Sequence, residues 1–226
     1  PLRIESFDIS NIQGLFNVGS MIVFEKGRPN NKHYRRFRIK SFEGANDYES
    51  MKEIIGRRFY HGIQEREELK AQDKSWELGK FSIFPDLIMV DGGLGQVNAV
   101  QPVLDEMGIH IPVCGMVKDD KHRTRGLVYK GEEIAIPINT NAFRLITNMQ
   151  DEAHRFAINY HRSLRTKNTV KSALDDIPGV GPARRKALLK HFGSLKRIKS
   201  ASVEELSQVE GMNSKVAETV YNFFKS

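Results

Sequence analysis

The run Leu87-Ile88-Met89-Val90-Asp91-Gly92-Gly93-Leu94-Gly95-Gln96 decides how this chain folds. Its four consecutive apolar residues leave no polar face, which suits a central strand buried on both sides. Phe84-Pro85-Asp86 stops the chain just before it, and Asp91-Gly92-Gly93 ends it. From Gly95 to Met107, Val97, Val100, Val103, Leu104 and Met107 then return at helical spacing, with Pro102 as a blemish. A buried strand followed at once by a helix is half of a βαβ unit and predicts a sheet covered by helices.

Working outward, Arg3–Ile9 alternates as a strand does, and Val18–Phe24 and Tyr34–Ile39 repeat the pattern across the turn-rich Lys26–Asn30. These predict three antiparallel strands in meander order. Asp47 to Lys70 carries Met51, Ile54, Ile55, Phe59 and Ile63 at helical spacing and reads as one long helix. Val113–Val117 gives a fifth strand. Leu127–Tyr129 and Glu133–Ile136 are short extended pieces around Gly131, and residues 142–163 form a last helix. The expected fold is an α/β domain with a mixed five-stranded sheet, residues 1–165. Its element order is that of the ribonuclease H-like nucleases, which place acids on the first strand, first helix, fourth strand and last helix.

Composition narrows the function. The 226 residues carry 35 Lys+Arg against 28 Asp+Glu, a net charge of +7, which points toward nucleic acid or an anionic surface without fixing a fold. Cys114 is the single cysteine, so an internal disulfide and a Cys-based zinc site are excluded; in the apolar run Ile111–Val117 it reads as a buried thiol. No apolar stretch approaches the roughly 20 residues that span a bilayer, and no signal peptide is visible, so a cytoplasmic protein is expected. A first residue of Pro1 rather than Met is expected of a fragment.

The charge is unevenly spread. Residues 167–226 hold 11 Lys+Arg and 6 Asp+Glu, which is most of the excess. Thr166-Lys167-Asn168-Thr169 is polar and without apolar periodicity, so residues 166–171 are expected to be a linker to a small all-α domain at 172–226. Two segments there resemble one another: Ile177-Pro178-Gly179-Val180-Gly181-Pro182-Ala183-Arg184-Arg185-Lys186 and Val209-Glu210-Gly211-Met212-Asn213-Ser214-Lys215-Val216-Ala217. Glycine lets backbone N–H groups approach a phosphate, and the helix that follows turns its positive end to the same anion. This resembles a tandem helix-hairpin-helix. Gly179, Gly181, Arg184, Arg185 and Lys186 in the first copy, with Gly211 and Lys215 in the second, are the candidate DNA contacts. Asn213 stands where a second glycine is usual, and is expected to tolerate a left-handed backbone there.

Asp8, in Phe7-Asp8-Ile9-Ser10, and Asp91 both read as acids ending apolar strands. Such an acid is costly unless paired, and parallel neighbours bring strand ends together, where a hard divalent ion relieves the repulsion. Taken singly, each is as well read as a turn or helix cap. His154 lies inside the last helix, where a lone His is usually structural. Imidazole is a better ligand for Mn²⁺ than for Mg²⁺.

The motifs Phe7-Asp8-Ile9-Ser10-Asn11-Ile12-Gln13-Gly14, Asn46-Asp47-Tyr48, Asp91-Gly92-Gly93-Leu94-Gly95-Gln96 and Asp151-Glu152-Ala153-His154-Arg155-Phe156-Ala157 resemble those of the UvrC family of bacterial excinuclease subunits. The resemblance covers essentially the whole chain. It implies a metal-dependent endonuclease cutting DNA 5′ of a lesion in nucleotide excision repair, on duplex or bubble DNA, with Asp8, Asp91 and His154 as a triad binding Mg²⁺ or Mn²⁺. It implies a further role for Asp47, which is equally placed to be a helix N-cap. Lys118 is read either as facing the substrate phosphate or as a solvated lysine. The family's 3′-cutting Gly-Ile-Tyr nuclease motif and its segment for the UvrB helicase are expected to lie outside these residues. A non-catalytic DNA-binding scaffold and another ribonuclease H-like nuclease, such as a junction resolvase, are the alternatives; both acids are present, and His154 stands where those other nucleases prefer a carboxylate.

Overall fold

The computed structural model describes residues 1–12, 16–41, 46–118 and 124–225, with 11, 12, 16 and 161–172 in backbone alone. Contacts divide the chain into two compact units, Pro1–Asn159 and Tyr160–Ser226.

The first unit is built on β1 (Arg3–Ile12), β2 (Phe16–Glu25), β3 (Arg28–Pro29), β4 (Arg35–Arg38), β5 (Leu87–Asp91), β6 (Val113–Lys118), β7 (Thr124–Tyr129) and β8 (Glu132–Ala135). They make one sheet in the order β3-β2-β1-β5-β6-β7-β8, with β4 also on β2. β1, β5 and β6 run parallel at its centre, and the outer pairs are antiparallel. The expected five strands are therefore eight. Lys26-Gly27 and Lys130-Gly131 each have two positive φ angles, the backbone of a tight two-residue hairpin: the first adds β3, and the second joins β7 to β8, the two short extended pieces expected around Gly131.

Three helices flank or follow the sheet: α1 (Asp47–Ala71), α2 (Leu94–Glu106) and α3 (Asn141–Asp175). The side chain of Asn46 accepts from the Glu49 N–H and starts α1, whose Met51, Ile54, Ile55 and Phe59 are buried. Pro102 is accommodated inside α2. On α3, Ile146, Met149, Ala153 and Ala157 are buried at spacings of three and four. This helix continues to Asp175, through residues 166–171 that composition marks as a linker. Polarity alone does not end a helix; the stretch holds no Gly or Pro to break it. Cys114 is buried in the core of this unit, and burial pushes its thiol pKa up.

The second unit completes its own core with α4 (Pro182–Phe192), α5 (Leu195–Ser200), α6 (Val203–Ser207) and α7 (Ser214–Lys225). Leu174, Ile177, Leu188, Ile198, Leu206 and Val220 pack there. Among the described residues no helix is long and apolar enough to cross a membrane.

Candidate active site and nucleic-acid interface

β1 and β5 lie side by side and parallel, in register from Ile4 with Leu87 to Phe7 with Val90. One residue further on, Asp8 and Asp91 are neighbours. Asp91 does end its strand; Asp8 does not, since β1 runs on to Ile12. Alternation had no way to mark that end, because Ser10-Asn11-Ile12 pairs with β2 whatever its polarity.

Asp8 is 8% exposed. Burial, and then the charge of Asp91, push its carboxyl pKa up to about 7, against the pull of the Lys118 ammonium. Asp47 adds a smaller upward push, which places the first residue of α1 within electrostatic reach. The N-cap of that helix is Asn46, so capping does not account for Asp47.

Lys118, at the end of β6, is exposed and paired: its Nζ donates to Asp91 Oδ2 at 2.8 Å. The other oxygen, Asp91 Oδ1, is buried without a hydrogen-bond partner in the protein. Hydrogen bonding between the two side chains adds to the upward push on Asp8, whose carboxyl proton is the donor at hand. Two adjacent acids, an orphaned oxygen and a raised pKa fit a divalent cation by the chemistry of the donor set. Among the described residues, however, no three His, Cys, Asp or Glu side chains converge closely enough to hold a metal. The structure thus brings Asp8 and Asp91 together and leaves His154 apart from them.

His154 is exposed on α3 and lines a cleft of about 650 Å³ with Asp91, Lys118, Thr124, Thr147 and Gln150. Thr147 and Gln150 were missed in the sequence. Thr147 Oγ1 and Gln150 Nε2 are buried without partners, and Gln150 Oε1 accepts from Thr124. The available signal was their spacing: 147, 150 and 154 fall on one face of a helix.

In the second unit Gly179 and Gly211 adopt φ of +84° and +79°, as the two hairpins require. A Cβ on Gly179 would also press on Val216 at 3.3 Å. Gly181 caps α4 without a side-chain bond, so the amides of its first turn are open. Asn213, like its counterpart Gly181 at φ −82°, has no positive φ; the second hairpin differs in that the Asn213 Oδ1 accepts from the Val216 N–H. It is a helix cap rather than a substitute glycine.

The basic residues divide. Arg184 donates to the carbonyl oxygens of Gly179 and Gly211, both at 2.7 Å, and so ties one hairpin to the other. Arg185 pairs with Asp175. Lys186 and Lys215 are exposed, and Lys186 lines an open groove with Gly181, Lys190 and Gly211.

Residues 1–158 match the family profile described as the UvrC RNAse H endonuclease domain, and residues 171–226 that of the SAM-like helix-hairpin-helix tandem. UvrABC system protein C of Alkaliphilus oremlandii (strain OhILAs) is 60% identical over 223 residues, which cover 99% of this chain and 36% of that protein. Its counterpart in Clostridium acetobutylicum is 56% identical over 225 residues, 100% of this chain and 36% of the relative. The chain thus spans about a third of the length of the relatives it matches.

Proposed function

Because the chain belongs to the UvrC family, we propose that it carries the 5′-incision nuclease of nucleotide excision repair together with a sequence-independent DNA grip. The observation that carries this reading is the pairing of Asp8 and Asp91 on adjacent parallel strands, with one carboxylate oxygen left unpartnered.

Asp8 and Asp91 would hold Mg²⁺ or Mn²⁺, with His154 completing the ligand set or positioning the attacking water. Once bound, the ion supplies Lewis-acid polarisation of the scissile phosphate and a water of lowered pKa. The protein's own groups do the rest. Lys118 compensates the carboxylates and is placed to donate to a phosphate oxygen entering the cleft. Thr147 and Gln150 offer unspent polar atoms on the α3 side of the same cleft. Asp47 acts on Asp8 through its charge.

In the tail, the open amides before α4 and the exposed Lys186 and Lys215 would take backbone phosphates. Such contacts carry no base code, so binding to duplex or bubble DNA is independent of sequence and sensitive to salt. Gly179, Gly181 and Gly211 shape the hairpins; Arg184 and Arg185 reach the DNA only as far as their internal bonds allow. In full-length members of the family the UvrB helicase would be the protein partner.

The test is Asp91→Asn, an isosteric change that removes one charge. It should lower incision of a damaged duplex by more than about a hundred-fold, a loss on the scale of an essential transition-state interaction. Duplex affinity should stay within about two-fold, since phosphate contacts dominate it. Incision retained by the purified variant in Mn²⁺ would sink the reading.

A further inference from the structure

The cross-strand register carries a row of side chains from the acids to the edge of the sheet. Asp8 lies opposite Ser20 on β2, and Ser20 lies opposite Arg36 on β4. One row along, Ser10 faces Val18, and Val18 faces Arg38. Directly opposed residues share a face, so Arg36 and Arg38 stand on the same side of the sheet as Asp8.

Two independent observations identify that side. A Cβ on Gly19, one residue from Ser20, would fall 2.7 Å from Ile54 of α1, so the alternate positions face α1. Arg36, in contrast, stacks its guanidinium over the Phe156 ring of α3 at 3.9 Å. The acids and both arginines therefore lie on the α3 side, where the cleft with His154 opens.

We propose that Arg36 and Arg38 are a phosphate track that seats the DNA strand to be cut across Asp8 and Asp91. This rests on the nuclease reading above. Strands are spaced by about 4.8 Å, so the arginine row lies roughly 10 Å from Asp8, within one or two nucleotides along a strand. Along β4 the two arginines are about 6.8 Å apart, a spacing comparable with that of successive phosphates on one strand. Both are exposed. Stacking on Phe156, with Nη2 donating to the Phe156 carbonyl oxygen, fixes the Arg36 plane in advance, so less side-chain freedom is lost when the guanidinium meets an anion. The electrostatics require such a device. A polyanion must approach one buried and one half-buried carboxylate, and cations beside them offset the repulsion.

The experiment uses the whole chain and a bubble duplex in EDTA, so that nothing is cut. Affinity is followed between about 50 and 200 mM salt for the parent, for Arg36→Gln with Arg38→Gln, and for Arg36→Lys with Arg38→Lys. The Gln pair should bind about ten-fold more weakly at low salt and flatten the log–log slope by about 2, one unit for each phosphate no longer neutralised. The Lys pair should keep the parent's slope. A second measurement needs no variant: neutral methylphosphonates placed pairwise along the cut strand should flatten the parent's slope at one position beside the incised bond. That same substitution should cost the Gln pair nothing further. An unchanged slope in the Gln pair, equal losses in the Gln and Lys pairs, or no sensitive position beside the incised bond each overturns the track. Loss or retention of cutting in Asp91→Asn reads the nuclease assignment separately, because slopes measured in EDTA do not depend on it.

Discussion

Lys118 shows best how a residue's neighbours set its meaning. Sequence offered a strand-end lysine and no way to choose between solvent and substrate. The structure joins it to Asp91 Oδ2, beside a second acid whose pKa burial and Asp91 drive up to about 7. An ammonium there does two opposed things: it stabilises the pair of carboxylates, and it competes with any divalent ion for the same oxygen. Lys118→Met should therefore destabilise the metal-free protein by about 1 kcal/mol, the scale of a partly exposed ion pair. It should also tighten Mn²⁺ binding several-fold, since about 1 kcal/mol of competition is removed. Thermal melting in EDTA and calorimetric Mn²⁺ titration read the two effects. A weaker Mn²⁺ affinity would mean that Lys118 organises the acids instead of competing for them. Asp8 and Asp91 were legible because acids beside apolar runs are conspicuous. Thr147 and Gln150 were not, because their interest lies in unpaired atoms that only packing reveals.

At the scale of elements, α1 is the clearest case of a helix whose apolar face holds a charge. Arg58 is 0% exposed, and so is Glu5 on β1. The guanidinium donates to both Glu5 carboxylate oxygens at 2.9 Å, and to the carbonyl oxygens of Phe81 and Ile83. It thereby ties the loop before β5 to the sheet that carries the acids. Glu65 on the same helix helps: burial opposes its ionisation, but the N–H groups of Lys80, Phe81 and Ser82 outweigh this and hold its pKa below 4.5. Arg58→Met should cost about 3–5 kcal/mol, because Glu5 and two carbonyls lose their donors in a dry interior. Urea unfolding measures it, and a loss below about 1 kcal/mol would show that Arg3, which also pairs with Glu5, suffices alone. Periodicity found α1 to within a residue, yet it could not find this charge cluster. An alternating strand assigns Glu5 to one face without saying whether that face is wet. The hairpin around Gly131 was legible, but β3 escaped: it is only two residues long, and Lys26-Gly27 is a weaker turn signal than Asn-Gly.

For the whole molecule, the point at issue is where DNA affinity resides. Most of the excess positive charge lies in the tail, and the positive φ angles of Gly179 and Gly211 give two hairpins whose backbone is open to approach. The second hairpin offers less, because Asn213 already satisfies one of the amides that would meet a phosphate. Each unit has an apolar core of its own among the described residues. Removing residues 168–226 cuts α3 within its helical run, leaving behind Ile146, Met149 and Ala153, the positions that pack on the sheet. The truncated chain should keep a cooperative melt, with Tm lowered by roughly 5 °C or less, as for a loss of 1–2 kcal/mol. Its duplex affinity should fall by at least about a hundred-fold at moderate salt, and its slope should flatten without vanishing. The remainder of the slope is the informative part: about 2 units should persist if Arg36 and Arg38 also hold phosphates. A slope of zero would confine binding to the hairpins, and an unchanged slope would move the grip onto the sheet unit altogether.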